Sequence, residues 1–238
     1  MAGPCSWLYQ ASRRWPKKEA SFDEGCSLRF EDLYEKSIRV AMWLARRGKP
    51  GQRVVIALPF SVPAAALYFG TLFAGMVAVP VDTGMSPDRF GLLLNEIDPL
   101  LVIRPYGFDS KSSWDRRRGL LVNSDQDLEA LIRFPAPKQD LPALSDDPFR
   151  LLQIIYTSGT TGLSKGVMLH GANLGAVVEG IEKTLNIRED HTIFTALSFA
   201  HTYGLSQLWL MAKRGAGLGV VHDITRMAAI KEILTGRP

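Results

Sequence analysis

The chain has 238 residues, 46% of them hydrophobic and 22% charged, a composition that supports a substantial core and excludes a disordered polypeptide. Lys and Arg number 28 against 24 Asp and Glu, leaving a net charge of +4. The basic clusters Arg13-Arg14, Lys17-Lys18, Arg46-Arg47 and Arg116-Arg117-Arg118 are scattered and lack interleaved aromatics, so a nucleic-acid partner is not expected.

Only Cys5 and Cys26 are present, too few for a disulfide framework or a zinc site, and a reduced, cytoplasmic location is expected. The segment Met1-Ala-Gly-Pro-Cys-Ser-Trp has no basic region followed by an apolar core, so no secretory signal is expected. Leu33, Ser37, Ile38, Ala41, Leu44 and Ala45 make a helical stripe that Gly48 and Pro50 stop. From Val54 to Val81 no residue is charged, a run long enough to span a bilayer. Pro59, Pro63 and Pro80 interrupt it, and its pieces read as a strand from Val54 to Leu58, a helix from Pro63 to Ala74 and a strand from Met76 to Val81. A βαβ unit buried on both faces is continuously apolar for the same reason, so no transmembrane segment is expected.

Ser86 caps and Pro87 opens a helix whose Phe90, Leu93, Leu94 and Ile97 share one face; Pro99 ends it, and Leu100 to Ile103 reads as a strand. Four prolines (Pro135, Pro137, Pro142, Pro148) and the pair Asp146-Asp147 mark a linker at 134–148 between subregions of about 1–133 and 149–238. Farther on, Leu174, Val177, Val178, Ile181 and Leu185 predict a helix. A strand at Thr192 to Leu197, a helix at Tyr203 to Arg214, a strand at Gly217 to Val221 and a helix at Ile224 to Leu234 follow. There is no internal repeat. Strands alternating with helices predict an α/β fold of layered, mostly parallel sheets flanked by helices.

The segment from Tyr156 to Lys165 gathers five hydroxyl side chains besides the tyrosine, two glycines and a lysine between the apolar runs Leu151, Leu152, Ile154, Ile155 and Val167, Met168, Leu169. Inward-turned backbone N–H groups, hydroxyl donors and a mobile cation suit a polyphosphate. A Walker loop does not fit: Ser164, not glycine, precedes Lys165, and a strand pattern rather than a helix follows. Gly162-Leu163-Ser164-Lys165-Gly166 also matches the serine-hydrolase elbow, with His170, His191, His201 and His222 and with Asp190 and Asp223 downstream, but an elbow needs strand, serine and helix in immediate succession. A plain turn joining two hairpin strands is a further alternative.

Tyr156-Thr-Ser-Gly-Thr-Thr-Gly-Leu-Ser-Lys-Gly-Val resembles the phosphate-loop signature of the adenylate-forming (AMP-binding) enzyme superfamily, which comprises acyl-CoA synthetases, luciferases and peptide-synthetase adenylation domains. Ser27-Leu-Arg-Phe-Glu-Asp-Leu-Tyr, Gly51-Gln-Arg-Val-Val-Ile-Ala-Leu-Pro, Ala74-Gly-Met-Val-Ala-Val-Pro-Val-Asp, Ser86-Pro-Asp-Arg and Leu197-Ser-Phe-Ala-His-Thr-Tyr-Gly-Leu are similar to further blocks of that family, in order. Ser164 stands where the family commonly has proline, and Gly171-Ala172 where it often has His-Arg.

The resemblance implies a ligase of fatty-acid-metabolism type. A carboxylate attacks the α-phosphate of ATP to give an acyl-adenylate and pyrophosphate, and a thiol of CoA or of a carrier protein's phosphopantetheine then displaces AMP. It implies that Thr157, Ser158, Gly159, Thr160, Thr161, Gly162 and Lys165 hold the β- and γ-phosphates, that His201 flanks the carboxylate, and that Lys165 and His201 are the catalytic residues. ATP, Mg2+ and the acceptor thiol are the implied cofactors. The partners are a small carboxylic acid and, for a carrier-type acceptor, an acyl carrier protein. Phe199, Tyr203 and Leu205 suggest an apolar pocket floor suited to fatty or aromatic acids.

No Tyr-Gly-x-Thr-Glu block for adenine and magnesium and no Thr-Gly-Asp block for ribose occurs; Thr235-Gly236-Arg237 follows the loop too closely, and Lys231 lacks the context of the family's lid lysine. The chain is therefore expected to be an N-terminal portion of the family's large domain without the small C-terminal lid domain, inactive alone, with open sheet edges that favour self-association. A noncatalytic relative that binds nucleotide or a partner is the alternative, and a serine hydrolase the more distant one.

Overall fold

The structure, a computed structural model, describes residues 3–23, 25–105, 147–157 and 165–221, together with the backbone of 119–121. The chain opens with helix α1 (Pro4–Arg14), strands β1 (Glu19–Phe22) and β2 (Ser27–Arg29), and helix α2 (Phe30–Ala45). Next come β3 (Arg53–Ile56), α3 (Val62–Phe73), β4 (Val77–Pro80), α4 (Pro87–Ile97), β5 (Leu101–Arg104) and β6 (Gly119–Leu121). The last described stretch holds β7 (Leu151–Thr157), β8 (Lys165–His170), α5 (Gly171–Leu185), β9 (Thr192–Thr195), α6 (Thr202–Arg214) and β10 (Gly217–Val220).

The strands form two sheets, ordered β2-β1-β10-β9 and β6-β5-β3-β4-β7-β8. Pairing is parallel except for β1 with β2 and β7 with β8. Both sheets combine strands from the two sides of the stretch 134–148: Ser21 of β1 pairs with Leu218 of β10, and Ala78 of β4 with Gln153 of β7. The two subregions thus share sheets, because parallel neighbours need long crossovers and are distant in sequence. Residues 134–146 and the helix expected at Ile224 to Leu234 lie outside the described residues.

Alternation along β3 decides the layers. Val54 and Ile56 enter a large core shared with α1, α2, α3, α5, α6 and the four-stranded sheet. Val55 faces the other way, into a smaller core with Val77, Val79, Val102 and the Phe90, Leu93, Leu94, Ile97 face of α4. The charge-free stretch is the expected βαβ unit, and every residue of α3 is buried. Side chains this deeply covered contribute about 1.5–3 kcal/mol each when large and apolar. Gly70 lets α3 press on α2: a Cβ there would stand 2.4 Å from the Val40 Cβ. No helix among the described residues is long and apolar enough to cross a membrane.

Helix ends follow their sequence signals. Ser61 and Ser86 each accept a hydrogen bond from the backbone N–H three residues on, and a proline occupies the first turn of both α3 and α4. The strand expected at Thr192 to Leu197 stops at Thr195, whose Oγ1 accepts from Leu197 N at 3.2 Å and turns the chain. Helix α1 and strands β1 and β6 were not expected from the sequence; α1 is nonetheless readable in Pro4 at its start and in buried Trp7, Leu8 and Ala11.

Candidate functional site

A cleft of about 510 Å³ opens at the carboxyl ends of the adjacent parallel strands β4 and β7, where α/β sheets commonly place a ligand. Three chain segments wall it: Pro80 to Met85 with Arg89, Ile155 to Thr157, and Ala200 to Thr202.

On the first wall, Asp82 closes a tight turn by accepting from Gly84 N at 2.7 Å through Oδ1. Its other oxygen, Oδ2, lies 3.9 Å from His201 Nε2 on the opposite wall. Arg89 sits in the first turn of α4, its backbone N–H donating to Ser86 Oγ at 3.5 Å.

The His201 wall is set by the turn between β9 and α6. His201 is the residue that precedes α6, in extended conformation (φ −112°, ψ 139°), and its carbonyl accepts from Leu205 N at 3.1 Å. Gly204 makes this turn possible, since a Cβ there would stand only 2.3 Å from the Ser198 carbonyl oxygen. Phe199 anchors the turn from behind, its ring centroid 3.5 Å from that of Phe60. The His201 imidazole itself is 66% exposed in the open cleft.

The third wall carries the stem of the hydroxyl-rich loop. Strands β7 and β8 pair antiparallel with Tyr156 opposite Gly166 and Thr157 opposite Lys165. Thr157 Oγ1 donates to the Lys165 carbonyl at 3.5 Å, so both ends of 158–164 are held side by side. Gly166 leaves room for the Tyr156 ring: a Cβ there would lie 3.0 Å from Ile154 Cγ2 and 3.2 Å from Tyr156 Cζ. The Tyr156 hydroxyl is shut from solvent and makes no hydrogen bond among the described residues. Burial, and then the negative charge of neighbouring Glu96, push its phenol well above the usual tyrosine range.

Of the residues expected at the site, Thr157 and His201 share the cleft, while Lys165 stands exposed on β8 directly across from Thr157. Ser158, Gly159, Thr160, Thr161 and Gly162 lie outside the described residues. The expected apolar floor is not one: Phe199 and Leu205 are buried in the core behind the cleft, and Tyr203 is 55% exposed and does not line it. The first turn of α6 carries Leu205 into the core and leaves Tyr203 outward. Asp82, Arg89 and Tyr156 are cleft residues that sequence reasoning missed, although all three fall within the blocks it singled out.

The rival loop readings meet the same geometry. Strand β8 begins at Lys165, immediately after Ser164, where both a Walker loop and a serine-hydrolase elbow require a helix. The loop does join two hairpin strands, and that arrangement is compatible with anion binding by the loop. Among the described residues no three His, Cys, Asp or Glu side chains converge to hold a metal.

Comparison with known proteins agrees with this architecture. The family model of the AMP-binding enzyme matches residues 8–236. The 2-succinylbenzoate–CoA ligase of Bacillus cereus is 27% identical over 205 residues, covering 85% of this chain and 40% of the ligase. The phosphinothricin tripeptide synthetase PhsC of Streptomyces viridochromogenes is 27% identical over 217 residues, 91% of this chain but 19% of the synthetase. Among solved structures, the inhibitor-bound N-terminal domain of FACL13 from Mycobacterium tuberculosis superposes with a TM-score of 0.85 at 23% identity, over 98% of this chain and 61% of that one. The O-succinylbenzoate coenzyme A synthetase of Bacillus subtilis, in complex with AMP, gives 0.82 at 23% identity over 96% and 58%. The chain thus spans well under half the length of these two curated relatives. It belongs to the AMP-binding enzyme family.

Proposed function

We propose that this AMP-binding enzyme takes part in ATP-dependent activation of a carboxylic acid, forming an acyl-adenylate for transfer to the thiol of CoA or of a carrier protein. In that reaction a carboxylate oxygen bonds to the α-phosphorus of ATP while the bond to the pyrophosphate oxygen breaks. The observation that carries the reading is the clamp of Thr157 against Lys165 at the edge of a cleft that His201 also lines. The clamp presents a hydroxyl and a cation at the stem of 158–164, whose hydroxyls and glycines are of the type that takes up charge on departing pyrophosphate. His201 on the facing wall suits the acid's carboxylate, with Asp82 across the cleft from it.

Magnesium, which the family implies, finds no cluster of three His, Cys, Asp or Glu ligands among the described residues. The blocks expected to hold adenine and ribose are not recognisable in the sequence. The chain's own part is therefore the grip on the leaving group and the acid-facing wall.

Isothermal titration of the chain with pyrophosphate, and pyrophosphate–ATP exchange with a panel of carboxylic acids, test the reading together. The expected result is pyrophosphate binding that depends on Lys165, without exchange by the 238-residue chain alone. A folded chain that ignores pyrophosphate overturns the proposal, and labelling of Ser164 by a fluorophosphonate would favour the hydrolase instead.

A further inference from the structure

We propose that Arg89 selects acids bearing a second anionic group, receiving that group at the wall of the cleft opposite the loop stem. The inference rests on the reading of the cleft as the acid site and names the class of acid.

Arg89 is the cation of the cleft lining, and no group among the described residues engages its guanidinium. Its backbone N–H is used in the Ser86 cap, while its guanidinium makes no hydrogen bond or ion pair among the described residues. Neither Asp82 nor Glu96 forms an ion pair with it among the described residues. Asp82 spends one oxygen on Gly84 N and turns the other toward His201; Glu96 lies beside Tyr156. Ser86 and Pro87 fix the first turn of α4, so Arg89 is presented from a rigid element rather than from a free loop.

The cleft's size and lining then restrict what fills it. A volume of about 510 Å³ suits a small organic acid. With one carboxylate directed to His201, the remainder of such an acid meets the rest of the cleft lining, which includes Arg89. An alkyl tail would strip water from the guanidinium and return nothing for it. A second carboxylate can accept two parallel N–H bonds from that fork. The aromatic and leucine side chains that would have favoured a fatty tail, Phe199 and Leu205, lie in the core behind the cleft.

The test compares hexanoate with hexanedioate, acids of equal chain length, by ligand-observed NMR titration of the chain, with pyrophosphate titrated into the same samples. Hexanedioate is expected to bind about tenfold more tightly, the scale of one charge-assisted, partly exposed pair. Arg89→Gln is expected to abolish the preference and Arg89→Lys to keep part of it. Lys183→Gln, which removes the same charge from the outer surface of α5, is expected to keep it all. Equal affinity for the two acids, or an unchanged preference in Arg89→Gln, in a chain that still binds pyrophosphate overturns this inference alone. Failure of the folded chain to bind either acid or pyrophosphate overturns both it and the reading of the cleft.

Discussion

Asp82 Oδ2 lies 3.9 Å from His201 Nε2, which links the end of β4 in the six-stranded sheet to the residue that opens α6 beside the four-stranded sheet. The contact crosses the cleft, so the two sheets' contributions meet where the ligand is proposed to sit. Both side chains are substantially exposed, so the pair's electrostatic worth is small; its role is to set where charge stands in the cleft.

That distinction is measurable. Asp82→Asn keeps an acceptor for Gly84 N and removes only the charge, and should change stability by less than about 0.5 kcal/mol. Asp82→Ala also loses the turn, and should cost about 1 kcal/mol in urea denaturation. Equal costs would mean that the turn contributes nothing.

Gly166→Ala should destabilise the β7–β8 hairpin by about 1–3 kcal/mol, since the added methyl presses on Ile154 and the Tyr156 ring. Shortening the ring by Tyr156→Leu should recover part of the loss. A double-mutant cycle in chemical denaturation reads the coupling, and additivity of the two changes would refute the contact.

Gly204→Ala has less room to relax. Its methyl would meet the Ser198 carbonyl, a backbone atom, at 2.3 Å, and about 3 kcal/mol is expected. Because the same turn carries His201, acid binding should weaken even where the variant remains folded; proton NMR of the histidine together with thermal melts separates the two effects.

Alkaline pH should weaken the fold in a set direction. Burial raises the phenols of Tyr34 and Tyr68, and burial with Glu96 raises that of Tyr156. The unfolded chain releases these protons near pH 10 while the folded chain retains them. Their stabilisation is therefore complete below about pH 10 and is lost progressively as pH rises above it. Denaturation midpoints from pH 8 to 11, with phenolate absorbance followed in parallel, should show that loss, and Tyr156→Phe should reduce its slope.

Much of this architecture was legible in sequence because burial leaves a periodic mark. The βαβ run from Val54 to Val81 and the capped face of α4 followed from hydrophobic spacing and proline placement alone. The pairing of β1 with β10 was not legible, because a parallel partner some two hundred residues away leaves no local signal. Residue type and resemblance pointed to Thr157 and His201, which line the cleft, and to Lys165 across from Thr157. Arg89 and Tyr156 were missed as cleft residues because their roles depend on what faces them across space. The misplaced floor at Phe199 and Leu205 has the same origin: apolar residues near a site are as readily core as lining, and only the turn at Gly204 decides.

Among the described residues β8 is an edge strand of the six-stranded sheet, and it exposes Val167 and, at 61%, Met168. Such edges recruit other strands. Sedimentation should show concentration-dependent association that Met168→Lys reduces; a monodisperse wild-type monomer would contradict the expectation.

The central claim is that the Thr157–Lys165 clamp anchors a pyrophosphate grip beside the cleft, and titration of pyrophosphate into wild type and Lys165→Ala tests it most directly. Lys165 is exposed on an edge strand, so its truncation should leave the circular dichroism and melting of the chain unchanged. Affinity should fall about tenfold or more with loss of the cation. Unaltered affinity in the variant, or no binding by the folded wild type, would contradict the account.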